Sequence, residues 1–278
     1  MEEVDTRLSY SSATLLSNCQ QRYTHYKVDK TPKDEDFKED YEAFNIGKAF
    51  HRVLELTKHT ATNLGVEIVD ACEIFNVVQH KAMIHAMLLK YLWAHNNSQL
   101  KVRNVELQLS NKMFLGFVDL ILEDDDGGWW ISDLKTAGRD DPYLIPKLIN
   151  DTQLNLYSHY AEKLGLGLAP HKFMGCRYRV TTKSTLKRGK GETYSDYVTR
   201  MMERITSRDI AIPKTVLKPK DTADRHAKLH ALSLKLRKGT LKPTRNYSYC
   251  FNYFRPCPYY SHCYGYTVTD ARTLLGGY

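Results

Sequence analysis

Phe114-Leu-Gly-Phe-Val-Asp-Leu-Ile-Leu122, then Glu123-Asp-Asp-Asp-Gly-Gly128, then Trp129-Trp-Ile-Ser-Asp-Leu-Lys135: the fold turns on this stretch. Two apolar runs flank six residues rich in Asp and Gly, the pattern of a tight hairpin. Met113 to Leu122 and Trp129 to Lys135 are therefore read as paired strands. Each carries one acidic residue that packing alone would not place there, Asp119 in the first and Asp133 in the second. A lone buried carboxylate is costly, so such residues have a charged or metal partner. Asp133 and Lys135 are two apart on a strand and share a face; pairing of the strands brings Asp119 close to both. Two carboxylates and a lysine converging at a sheet edge suit a hard divalent cation such as Mg²⁺, with Lys135 beside an attacking water. The alternative is an ordinary Asp133–Lys135 ion pair on a solvated face, and the apolar company of Asp119 weighs against it. Asp124, Asp125 and Asp126 are turn residues and carry no chemistry.

Outward from the hairpin, Val102 to Leu109 alternates as a preceding strand, and a helix is expected from about Tyr143 to Leu164. A further strand covers about Lys172–Thr181. Strands, then a helix, then a strand indicate an α/β core with a mixed sheet flanked by helices. Before it, Ser9 to Tyr26 reads as a helix, with Leu15, Leu16, Cys19 and Tyr23 in a helical period and serine N-caps. Asp29 to Asp40, with Pro32 inside it, reads as a surface loop. Phe44 to Thr57 and a long segment from Ala71 to Trp93 are expected to be helical, as are Glu192–Ser207 and Thr222–Lys238. The chain is thus read as one domain over 1–278: a helical subdomain at 43–97, the core at 100–182, a basic helical region at 183–246 and a cysteine-held segment at 247–266. There is no internal repeat.

Composition limits the class. Apolar residues make up 42% of 278 positions and mean hydropathy is −0.50, which fits a soluble protein with a full core and not a disordered chain. No run approaches the roughly 18 apolar residues of a membrane helix. The start, Met1-Glu2-Glu3-Val4-Asp5, lacks the apolar region of a secretory signal. The six cysteines are accordingly expected in a reducing compartment, as core residues or metal ligands. The formal charge is +8, and residues 171–250 hold 20 Lys and Arg against 6 Asp and Glu. A basic region beside a mildly acidic body points to a polyanion such as nucleic acid. Lys187, Arg188 and Lys190, in a loop, are the leading phosphate contacts; a solvated lysine-rich surface is the bland alternative.

Four motifs in order carry a family resemblance: Gly47-Lys-Ala-Phe-His51, Gly116-Phe-Val-Asp119, Asp133-Leu-Lys135 and Gln153-x-x-x-Tyr157. Together they resemble the RecB-like branch of the PD-(D/E)xK nucleases. Val118 stands where the superfamily's naming proline would be. The resemblance implies a restriction-endonuclease-like fold, with His51, Asp119, Asp133 and the Leu134 carbonyl holding a catalytic Mg²⁺ or Mn²⁺. It implies that Lys135 orients water and stabilises charge on the phosphate. Gln153 and Tyr157, one helical turn apart, would position the DNA strand and the active-site residues. Glu106, on the first strand, is read either as an additional metal-site carboxylate or as a surface salt bridge.

Cys250-x₆-Cys257-Pro-x₄-Cys263 gathers three thiols within 14 residues, and Cys19 lies in Ser17-Asn-Cys-Gln-Gln-Arg-Tyr23. This arrangement looks similar to iron–sulfur members of the branch, in which one early cysteine joins three late ones around a 4Fe–4S cluster. Zn²⁺ is the competing occupant, although it usually comes with tighter cysteine pairs. The six-residue gap after Cys250 is longer than the first gap in many relatives. Cys72 and Cys176 are read as core. Tyr247, Tyr249, Phe251, Tyr253, Phe254, Tyr259 and Tyr260 are expected to pack around the cluster, with base stacking as the alternative.

The expected function is metal-dependent hydrolysis of DNA phosphodiesters, exonucleolytic on single-stranded ends, in the cytoplasm; many short relatives are phage-encoded. Two other readings stay open: a non-catalytic DNA-binding protein with a structural four-cysteine site, and a nuclease subunit of a recombination, replication or CRISPR-adaptation-like complex. No membrane partner is expected.

Overall fold

Five strands form one sheet in the order β1-β2-β3-β4-β5 in the computed structural model, which describes residues 5–34, 41–138, 148, 151–163, 165, 172–252 and 255–265. They are β1 (Lys101–Ser110), β2 (Leu115–Glu123), β3 (Gly128–Ala137), β4 (Lys172–Thr182) and β5 (Ser207–Pro213). The β2–β3 pair is antiparallel, β3–β4 parallel and β4–β5 antiparallel, so the sheet is mixed and the fold α/β. The hairpin turn is built as its composition requires. Asp124 accepts from the Gly128 amide at 2.6 Å and from the Trp130 indole at 2.8 Å, and Gly127 takes φ 77°, where a side chain would be strained.

Contacts divide the chain into two compact units, Met1–Asp40 with Ser110–Leu115 and Ala223–Tyr278, and Tyr41–Leu109 with Gly116–Thr222. The second holds the sheet. On it pack α3 (Glu42–Thr57), α4 (Leu64–Ile74), α5 (Lys81–Asn96) and α7 (Tyr194–Arg204), through Phe50, Val53, Ile84, Met87, Leu120 and Leu122 among others. Each such fully buried side chain stabilises the fold by roughly 1.5–3 kcal/mol. Helix α6 (Thr152–Lys163) links β3 to β4. The part of the expected Tyr143–Leu164 helix before 151, Leu148 apart, lies outside the described residues, as does Leu164.

Two expectations are corrected in this unit. The long helix from Ala71 to Trp93 is two helices: α4 stops at Ile74, Asn76 takes φ 53° and Val78–His80 form a 3₁₀ turn. Val77, fully buried in that break, anchors the corner. The Glu192–Ser207 helix is shorter. Thr193 caps α7 by accepting from the Asp196 amide, and Ile205 leaves the helix at φ −83°, ψ 135°. The following Ser-Arg-Asp-Ile-Ala-Ile-Pro then pairs with β4 as an edge strand, an alternation too short to stand out beside a helical neighbour.

In the first unit the expected Ser9–Tyr26 helix is also broken. Ser9 caps α1 (Tyr10–Asn18), Cys19 is extended at φ −158°, ψ 114°, and α2 (Gln20–Tyr23) then runs into a π turn over Thr24–Val28. Leu8, Leu16, Tyr23 and, from α8 (Pro219–Arg237), Leu236 form its apolar cluster. Among the described residues no helix is long and apolar enough to cross a membrane.

Candidate active site

Gly47 governs how α3 meets the sheet. A Cβ there would stand 3.2 Å from Thr136 Oγ1 on β3, so glycine permits the close approach. One turn later the His51 ring reaches the sheet, with Nδ1 3.7 Å from Asp119 Oδ2. Asp119 Oδ2 also accepts from the Leu134 amide at 2.7 Å. The β2–β3 register pairs Leu120 with Ser132, and one step further sets Asp119 across from Asp133. The hairpin and α3 together therefore bring His51, Asp119, Asp133 and the Leu134 backbone into one cluster.

Lys135 is held from two sides. Its ammonium donates to Asp133 Oδ1 at 3.0 Å and to Gln153 Oε1 at 3.1 Å. Gln153 Nε2 in turn donates to the Tyr157 hydroxyl at 3.2 Å. Asp151 fixes the start of α6 by accepting from the amides of Gln153 and Leu154, an N-cap arrangement that aims Gln153 at the lysine. Tyr157 is buried, and its hydroxyl accepts from Gln153.

Glu106 is where the sequence says least and the structure most. It sits in β1 at φ 52°, a left-handed conformation unusual for a non-glycine residue in a strand. His51, Glu106 and Asp119 offer ligand atoms all within 4.8 Å of one another. Asp133 stands outside that trio, engaged by Lys135. A glutamate on an alternating strand looks much like any solvated residue, which is why the sequence left Glu106 between a metal-site carboxylate and a surface salt bridge.

The electrostatics follow from gathering acids in a partly dry place. Burial pushes Asp133 up, the Asp119 charge adds to this, and Lys135 opposes it. Burial raises Asp119 too, against the Leu134 amide and Lys135. Glu106 is pushed up to about 7 by burial and by Asp119. Burial lowers His51, countered in part by Asp133. For Lys135, burial works against the charge, but Asp133 beside it more than offsets this and the net shift is upward. A divalent cation among these acids would favour their ionised forms and so offset the upward shifts. The imidazole–carboxylate donor set of His51, Glu106 and Asp119 fits a divalent metal, with Asp133 Oδ2 beside it 2.8 Å from the Lys135 ammonium. These groups line a cleft of about 910 Å³ that also admits Phe44, Lys48 and Lys183.

The basic loop lies elsewhere in the same unit. Tyr197 on α7 donates to the Leu186 carbonyl at 2.7 Å and Arg200 to that of Lys187 at 2.9 Å. Arg188 donates to the Glu192 carbonyl. Lys187, Arg188 and Lys190 are exposed on this tethered loop. Three arginines of the basic region are engaged internally: Arg177 and Arg179 pair with Asp209, and Arg200 with Glu192.

In the first unit, Cys19, Cys250, Cys257 and Cys263 line one cavity with Tyr249, Tyr259 and other aromatics. The long gap after Cys250 is a hairpin. Phe251 pairs with Pro256 and Asn252 with Arg255, and the Cys257 amide donates to the Cys250 carbonyl at 2.7 Å. Cys19 reaches the same place because the extended break after α1 is stitched to the late segment: Gln21 N to Thr244 O at 3.1 Å, Asn246 Nδ2 to Asn18 O at 2.9 Å. Burial pushes the Cys257 thiol up to about 11, helped by Cys263 and Cys19. Among the described residues no three of these sulfurs lie within 4.8 Å of one another; a single zinc at about 2.3 Å from each would draw them to about 3.8 Å. Cys72 and Cys176 are buried apart from the set. Tyr247 is exposed, while Tyr253 and Phe254 lie outside the described residues.

No curated protein matches the chain. Among solved structures, a crystal structure of a protein from Eubacterium rectale named as a putative exonuclease aligns over 87% of this chain and 85% of its own, at 12% identity and TM-score 0.52. A second, SSO0001, covers 93% of this chain and 98% of its own at 14% identity, with a TM-score of 0.31 that supports no argument. The first match shows a shared fold. Residues 7–264 match the family model of the PD-(D/E)XK nuclease superfamily, and with the match spanning nearly the whole chain, this protein belongs to that superfamily.

Proposed function

We propose that this nuclease hydrolyses DNA phosphodiesters with a divalent cation, Mg²⁺ or Mn²⁺, and acts as an exonuclease on single-stranded ends. The observation that supports it is the convergence of His51, Glu106 and Asp119 beside the Asp133–Lys135 pair in one cleft. His51, Glu106, Asp119, Asp133 and the Leu134 carbonyl would hold the cation. When bound, it would polarise the phosphate and make a water acidic enough to attack near neutral pH. Lys135 keeps its positive charge beside Asp133 and would stabilise charge developing on the phosphate. Gln153 aims that ammonium, and Tyr157 holds Gln153 as a positioning residue. The four cysteines would carry a 4Fe–4S cluster, a reading supported by the four thiols lining one cavity. Such a cluster would cross-link the early and late segments of the first unit.

The test uses end-labelled single strands, blunt duplexes and circular single strands with Mg²⁺, Mn²⁺, Ca²⁺ or EDTA. Cleavage of linear single strands with Mg²⁺ or Mn²⁺, and none with Ca²⁺ or EDTA, is expected. Full activity in EDTA refutes the metal, and rapid cutting of circles refutes the exonuclease. An anaerobic absorption spectrum with a broad visible band decides the cluster.

A further inference from the structure

We infer that the cleft contains a seat for one unpaired nucleobase, built on Phe44 with Phe75 and Lys48 and set beside the carboxylate cluster. The inference rests on the proposed nuclease reading and adds how the substrate strand is recognised. Helix α3 buries its other large apolar residues up to Val53 and Leu54, namely Ile46 and Phe50, yet Phe44 is 58% exposed. It lies in the same cleft as His51, Asp119 and Lys135, where core packing gives it no role.

The chemistry around Phe44 is that of a nucleotide site. Lys48, one turn on, holds its ammonium 4.4 Å from the Phe44 ring centre and 5.9 Å from that of Phe75. Lys183 reaches the same corner, donating to the Ala43 carbonyl at 3.1 Å. An aromatic face stacks any base, and nearby cations take the phosphates that flank it. The Lys48 contact, weak where exposed, gives way to a base and frees the ammonium for a phosphate. An apolar peptide would leave these two lysines unanswered, whereas a polyanion answers them.

Geometry then makes the seat selective. Phe44 and His51 are seven residues apart, about 10 Å along the helix axis, so a stacked base lies only a nucleotide or two from the carboxylates. In a duplex that base is enclosed by its neighbours and its partner, and unstacking it is costly. An unpaired end has no such cost. The seat thereby supplies a physical reason for preferring single strands.

The experiment uses the full chain with Ca²⁺ in place of Mg²⁺, and oligonucleotides carrying 2-aminopurine at the first, second or third nucleotide from the end. Stacking on Phe44 should quench one of these positions in the wild type. Phe44→Ala should lose the quench and weaken single-strand binding roughly tenfold, leaving duplex affinity within about twofold, while Phe44→Tyr should keep both. Unchanged melting temperatures establish that the exposed substitutions leave the fold intact. Equal quench and affinity in Phe44→Ala overturn the seat. If the wild type cleaves with Mg²⁺ but shows no position-dependent quench, the seat alone fails. If it neither binds nor cleaves DNA, the nuclease reading fails with it.

Discussion

The carboxylate cleft and the cysteine cavity are both candidate metal centres, and they are built in opposite ways. The cleft is open, its clustered acids come from three adjacent strands and its imidazole from one helix, and its donors are hard oxygens and that imidazole. The cavity is walled by tyrosines, its thiols are soft, and Cys19 and Cys250 are 231 positions apart in sequence. A hard-oxygen site open to solvent can exchange water and substrate, as turnover needs. A thiolate site closed by aromatics and assembled across the chain constrains the backbone instead. Donor type and enclosure thus match the catalytic role proposed for one centre and the cross-linking role proposed for the other.

Four substitutions or conditions can break this contrast. The largest effect should follow Lys135→Ala: cleavage falls about a thousandfold, because a charge aimed at the phosphate is removed. Binding of an uncut oligonucleotide in Ca²⁺ should barely change, and loss of binding with full cleavage per bound complex would show that the lysine serves affinity. Next in size is Cys19→Ser, read by iron content and a melting curve under anaerobic conditions. It should lose iron and a few kcal/mol of stability, as removal of a long-loop cross-link does in the chain-entropy model. Cys72→Ser and Cys176→Ser should retain their iron; Cys19→Ser with full iron content would end the structural reading of the cavity.

Glu106→Gln sharpens the other side. Mn²⁺ affinity, followed by titration calorimetry without substrate, should fall roughly tenfold because one charged oxygen ligand is lost. Unchanged affinity would return Glu106 to the solvated surface. The smallest effect concerns pH. A carboxyl raised by burial binds more protons folded than unfolded. Its stabilisation is complete below its ordinary value of about 4 and is lost as pH rises through the folded value. Glu106, at about 7, and the raised Asp119 and Asp133 should therefore cost the metal-free protein stability as pH rises from about 4 toward neutrality. Mn²⁺ binds the deprotonated acids, so it should raise the melting temperature more at about pH 8 than at about pH 6. Equal rises would separate the acids from the metal.

Much of the cleft could be read from local spacing. Asp133 and Lys135 share a face because strands repeat every two residues. Asp119 comes near them because the Asp-Gly-rich turn sets the register, and Gln153 lies one turn from Tyr157 because helices repeat every 3.6. The helix ends were less legible. Asn76 and Cys19 break apolar periods that run on through them, since the cost of a corner is repaid by buried neighbours such as Val77 that are distant in sequence or arrive from another element. β5 escaped notice because its alternation is short and follows directly on a helix.

By itself, then, the sequence determined the mixed α/β class, the hairpin with its paired carboxylates, the order of the motifs and the grouping of late cysteines. All of these follow from propensities and periods acting over a few residues. Tertiary structure decided that Glu106 stands with His51 and Asp119, that Phe251 and Asn252 pair with Pro256 and Arg255 in the gap after Cys250, and how the extended break at Cys19 is tied to the late segment. It also decided that Phe44 stays exposed inside the cleft while its helical neighbours are buried. These outcomes depend on a left-handed φ in β1, on backbone pairing across the chain and on which helix face the sheet covers, and each is set by packing between segments that no local period encodes.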